Sequence, residues 1–92
     1  MGKKPWEEII VVDTNEIPGK TIIKTIGKVE TKHDGALSFS KQAKWFFSAP
    51  NKLKKIAYKL GANAIISVNN TIVNQGKTNV YFGTAVVIED KE

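Results

Sequence analysis

The segment KLGANAIISV, residues 59–68, constrains the fold more than any other stretch of this chain. Leading into it, and up to its second residue, Leu53, Ile56, Ala57 and Leu60 recur at i, i+3, i+4 and i+7, the spacing of one apolar helix face. From about Ile65 an apolar, β-branched run takes over, the mark of a strand. Gly61 is placed as the first residue beyond the helix, where a left-handed backbone closes the last turn. Lys59 in that turn suits the negative helix end. Ala62, Asn63 and Ala64 are small and fit a tight joint between helix and strand.

The rest of the chain falls into place around this joint. Residues 1–5 read as a loose terminus. Glu8 to Val12 holds the run Ile9-Ile10-Val11-Val12, strand-like in composition. Asp13-Thr14-Asn15 and Pro18-Gly19 are turn chemistry. Thr21 to Glu30 is a second strand, with Ile22 and Ile26 on one face and Ile23, Thr25 and Val29 on the other. Gly27 inside it marks a bulge or a close backbone approach. Asp34-Gly35 is again a turn. Phe39, Ala43 and Phe46 or Phe47 suggest a short helix after Ser38 or Ser40, which Pro50 ends or kinks. Past the joint, the Ile65 strand runs to Val68, or to Val73 beyond the polar pair Asn69-Asn70. Asn74-Gln75-Gly76 is a hairpin turn. Thr78 to Ile88 is the last strand, with Val80, Phe82, Val86 and Ile88 on one face. Residues 89–92 form a solvated tail.

The order is strand, strand, helical region, strand, strand. A helical crossover makes the Ile65 strand parallel to the Thr21 strand. Inserting the last strand between them gives an antiparallel three-stranded sheet covered by helix, an α+β fold of two layers. The Ile9 strand either extends this sheet or reaches a neighbouring subunit.

Composition bounds the function. The 92 residues make one domain, 1–92, and a chain this short buries only about 60–65% of its unfolded surface. With 41% hydrophobic residues its core is thin, and self-association is an ordinary way to bury more. There is no cysteine, which excludes disulfides, thiolate metal sites and cysteine nucleophiles. No stretch approaches the roughly 18 apolar residues of a membrane span. The basic start lacks the apolar core of a signal peptide, so the chain reads as cytoplasmic. All fourteen cations are lysine. Without the planar fork of arginine, sequence-specific DNA readout is not expected, although salt-sensitive attraction to polyanions is open to a chain of charge +5.

Three segments, IPGKTIIKTIGKVE, LGANAIISV and FGTAVVI, occur in this order at suitable intervals. Together they resemble the YbjQ-like family, often labelled a heavy-metal-binding domain, over most of residues 17 to 88. Their structural positions here are Pro18, Gly19, Gly27, Gly61 and Gly83. The resemblance implies a β-α-β-β domain with helix on an antiparallel sheet, and closed homo-oligomers with a pentameric ring as the leading form. The chain departs from the family in its short aromatic stretch before the main helix and in its extra N-terminal strand.

The metal label meets few ligands. A transition-metal site needs several His, Cys or carboxylate groups converging. His33 is the one weak candidate, able to join a site shared around a ring; the plainer reading is an exposed turn histidine. No cofactor is expected. Gly19-Lys20-Thr21 and Gly76-Lys77-Thr78 match the end of a P-loop, but Thr14 and Thr71 stand where the first glycine is required and strands follow instead of helices. Both read as turns entering strands.

The segment from Lys41 to Phe47 combines cations with Trp45, Phe46 and Phe47. It suits base stacking, a membrane interface or a ligand. The plainer reading is core plus subunit interface, since three consecutive aromatics on a helix cannot share one face. Asn63 and Thr84 are polar residues inside small or apolar motifs, expected to bond backbone at the joint or to line a pocket between subunits. No acid/base or nucleophile constellation is visible. The expected protein is thus a non-enzymatic, ring-forming module binding a small ligand, metal or partner at its interfaces. The alternative is a lysine-rich protein that binds polyanions or membrane surfaces.

Overall fold

A computed structural model describes residues 4–35 and 39–91. Pro5–Glu8 form a short 3-10 turn that packs on the helix, so Pro5 is not part of a loose terminus, and residues 1–3 of that expected terminus lie outside the described residues. Strand β1 (Ile10–Val11) follows, then β2 (Lys20–Asp34), helix α1 (Phe39–Lys59), β3 (Ala64–Val73) and β4 (Thr78–Asp90). The sheet order is β1-β3-β4-β2. The last strand lies between β3 and β2, antiparallel to both, as the crossover argument predicts. β1 extends the same sheet, parallel to β3. The architecture is α+β, one helix on a four-stranded mixed sheet.

The helical region is one element of 21 residues with Pro50 inside it, not a short helix followed by a second. Trp45, Ala49, Leu53 and Ala57 recur every fourth residue and are all buried. This stripe anchors the helix on both sides of the proline and offsets the lost N–H. Ala43 and Leu60, which the sequence places on the apolar face, are both exposed.

The joint closes as the glycine suggests. Gly61 has φ +88°, its N–H donates to the Tyr58 carbonyl at 3.0 Å, and the Ala62 N–H donates to the Ala57 carbonyl at 3.0 Å. This is the Schellman pattern, with the buried Ala62 as its apolar contact. Asn63 then acts as a side-chain rung of the sheet. Its Oδ1 accepts from the Ile88 N–H at 2.7 Å, and its Nδ2 donates to the Ile88 carbonyl at 2.9 Å.

Two apolar clusters lie on opposite faces of the sheet. On the helix side, Ile9, Val29, Leu53, Ala57, Ala62, Ile65 and Ala85 pack together, with Tyr81 partly buried against them. On the other side, Ile17 and Val12 from the β1–β2 connection pack with Ala64, Ile66, Val86 and Ile88. The apolar alternation of β4 therefore points away from the helix, and the connection supplies part of the second cover.

Bulges reset the phase of two strands. In β2, register shifts fall between Ile22 and Lys24 and between Thr25 and Gly27. Ile22 consequently packs with the cluster opposite the helix and Ile26 with the helix-side cluster, instead of sharing a face. Gly27 sits at the second shift with φ +148°, as its place in the strand suggests. In β3 the shift lies between Ile66 and Asn69. There Ser67 has φ +54°, its N–H donates to the Thr14 carbonyl at 2.7 Å and the Val68 N–H to the Val12 carbonyl at 3.1 Å. Pro18 and Gly19 form a turn closed by the Lys20 N–H on the Ile17 carbonyl, with Gly19 at φ +78°. The expected tail is still strand at Glu89 and Asp90, which pair with Thr21 and Lys20, although both side chains are exposed.

Candidate functional site

The extra length of β2 matters most for the site. The strand runs on through His33 and Asp34 instead of turning after Glu30, which places His33 opposite Asn79 of β4. Directly opposed residues of an antiparallel pair share a face. Here that is the helix-covered face, because Val29 two rungs earlier belongs to the cluster under α1. His33 is therefore a half-buried strand residue and not an exposed turn histidine.

The first half of α1 lies over this end of the sheet. Trp45 is only 5% exposed, and its ring meets His33 edge to face with centroids 6.4 Å apart and planes at 75°. Phe46 packs edge to face on Trp45 at 5.1 Å. Phe47 points to solvent, 84% exposed. The three aromatics thus take three environments, as the helical geometry requires.

A pocket of about 390 Å³ lies beside this cluster, lined by His33, Lys41, Lys44, Trp45 and Ser48. Ser48 Oγ donates to the Trp45 carbonyl at 3.0 Å. Among the described residues three polar side-chain atoms are buried without a partner, His33 Nδ1, Trp45 Nε1 and Asn79 Oδ1, and the first two belong to residues that line the pocket. Asn79 itself is 4% exposed. Buried polar groups in folded proteins are nearly always paired, and each exception calls for an explanation. Three exceptions on one face, on side chains joined by a ring contact and a strand register, mark this as the candidate site.

The other residues singled out from sequence are placed elsewhere. Asn63 spends its amide on Ile88, at the joint. Thr84 lies half-buried in β4, opposite Lys28 and Ile66. Gly19 and Gly76 occupy turns with positive φ that lead into β2 and β4, so neither tripeptide cradles a phosphate at a helix end. Among the described residues no group of three His, Cys, Asp or Glu comes close enough to hold a metal ion. No helix among them is long and apolar enough to cross a membrane. Ser48 and Asn79 are the lining or buried residues that sequence reasoning missed. A single Asn inside the run NVYFG was the available signal, but its meaning depends on a pairing with His33 that only the extended register provides.

Among the described residues two groups show displaced acidity. Burial, and secondarily the charge of Asp13, raises the Tyr81 phenol above its ordinary 10.0. A hydrogen bond from Lys20, reinforced by its charge, lowers the exposed Asp90 carboxyl. Neither lines the pocket.

No protein-family model matches this chain, and no curated protein matches it. Among solved structures, one similar chain is a protein of unknown function from Pediococcus pentosaceus ATCC 25745, described as belonging to the DUF74 family. It is 26% identical, with a TM-score of 0.49, over 90% of this chain and 98% of that one.

Proposed function

We propose that this chain is a non-catalytic binding module that works as a closed ring of identical copies, with a pentamer as the leading form, and that it takes a small ligand in the pocket beside Trp45. The observation that carries the ligand is the stranding of His33 Nδ1 and Trp45 Nε1, on two residues that line that pocket, and of Asn79 Oδ1 on the strand residue opposite His33. An unpaired buried group costs about 1–3 kcal/mol. A modest turn of the indole or the amide towards the pocket would let a bound molecule take up some of that missing pairing. The volume falls within the usual range for small-molecule sites.

The ring rests on the YbjQ-like resemblance and on unsatisfied surface. β2 is an edge strand of 15 residues. Ile23, Phe47, Ile72 and Val73 are exposed apolar side chains that a neighbouring copy would cover.

Light scattering together with a ligand-observed NMR fragment screen tests both halves. We expect a mass of several copies, and hits that compete for one site. Those hits should vanish in Trp45→Ala while the assembly mass is unchanged. A monomer at high concentration would remove the ring. A screen without any Trp45-dependent hit would remove the ligand, and dissociation of Trp45→Ala would recast the tryptophan as an interface residue.

One observation favours a second reading. Phe47 stands almost bare on the helix, three residues from the exposed Lys44, as in proteins that touch membrane surfaces or nucleic acid. Binding to anionic vesicles or to single-stranded nucleic acid that weakens steeply with salt and is lost in Phe47→Ser would support it. No binding at low salt would end it.

A further inference from the structure

The groups around the pocket differ in what they can exchange, and from this we infer the class of its ligand: a small organic anion, a carboxylate or phosphate carried on a planar ring. The inference rests on the reading of the pocket as a ligand site and gives that ligand its chemistry. The lining holds two lysines and no carboxylate. An ammonium group and an indole N–H donate hydrogen bonds and accept none. Lys44 and the Trp45 indole therefore ask for an acceptor, and Lys44 asks for negative charge. Ser48 can exchange its bond to the Trp45 carbonyl for one to a ligand oxygen.

The body of the ligand follows from the walls. The Trp45 and His33 rings both line the pocket and stand nearly perpendicular, at 75°. A planar ring can stack on one and meet the edge of the other. A volume of about 390 Å³ accommodates one such ring with its charged group. Trp45 Nε1 is buried, so engagement requires the indole to move. That movement is the readout.

The chain holds two tryptophans, so Trp6→Phe leaves Trp45 as the sole indole reporter. This variant is titrated with phenyl phosphate, benzoate, inorganic phosphate and benzyl alcohol while Trp45 fluorescence is followed. Phenyl phosphate or benzoate should give a saturable change with a Kd of about 1 mM or tighter, at least about tenfold below that of benzyl alcohol. Inorganic phosphate, which lacks the ring, should bind more weakly than phenyl phosphate. Lys44→Ala, a change at an exposed position, should weaken the anions about fivefold and leave benzyl alcohol unchanged. The relative affinity of benzoate and phenyl phosphate identifies the preferred charged group. Equal binding of benzyl alcohol and the anions, or anion binding indifferent to Lys44→Ala, would overturn the anionic class and leave the pocket itself a ligand site. Inorganic phosphate binding as tightly as phenyl phosphate would overturn the ring. Silence of Trp45 towards all four probes up to about 10 mM would overturn the inference, while the fragment screen decides separately whether the pocket binds anything.

Discussion

Gly83 shows how closely the sheet packs under the joint. A Cβ added there would lie 2.7 Å from both Ile65 Cγ2 and Val68 Cγ1 and 3.1 Å from the Ile66 carbonyl oxygen. The side chains have little room to retreat, since Ile65 is fully buried and Val68 is held by the bulge. Gly83→Ala should therefore cost about 1–3 kcal/mol, measured as a lower midpoint in chemical denaturation. Tyr81, two residues away, makes a prediction in pH. Its phenol is raised in the folded state, so the native chain holds that proton more firmly than the unfolded one. The resulting stabilisation is complete below 10.0 and is lost as pH climbs through the higher folded value. In a Tyr58→Phe background, ultraviolet titration of Tyr81 should show late ionisation. Asp13→Asn should bring it part of the way back, because burial is the larger cause.

At the level of elements, α1 carries a proline where a helix does not want one. Pro50→Ala restores an N–H to the ladder and removes the ring from the preceding turn. It should stabilise the protein by up to about 3 kcal/mol, visible as a raised Tm with unchanged helical signal per copy. A fall in Tm would mean that the proline's rigidity in the unfolded chain matters more. Pro50 is also where the sequence was misleading. Reading it as a breaker divided one helix in two and put Ala43 on the buried side, while the true stripe runs Trp45, Ala49, Leu53, Ala57. The joint was legible because its signals are local: an apolar face at helical spacing, a glycine to close it, small residues to turn. The phase of β2 was not, because each bulge shifts the alternation and only Gly27 announces one. His33 and Asn79 were illegible as a pair for the same reason. Their proximity follows from the registration of strands 44 or more residues apart in sequence, set by the last strand entering between its neighbours.

For the whole molecule, the topology was readable from order alone, since one helical crossover and one hairpin leave few ways to arrange three strands. What order does not reveal is how the exposed side chains are used. If copies meet through the aromatic flank of α1, Phe47→Glu should shift the light-scattering mass towards smaller species while circular dichroism keeps its native shape. If the mass stays constant, the contact lies elsewhere, and the outer edge of β2 becomes the place to look.

The central position of β4 has a consequence for biosynthesis. β2 and β3 never pair with each other; both wait for residues 78–90. A nascent chain that has emerged only through the turn at 74–77 thus carries β2 without a partner strand, β3 with only the two-residue β1 and its connection beside it, and a helix with little sheet to rest on. It should remain open to proteases and chaperones, and acquire its structure in one late, cooperative step when the middle strand arrives.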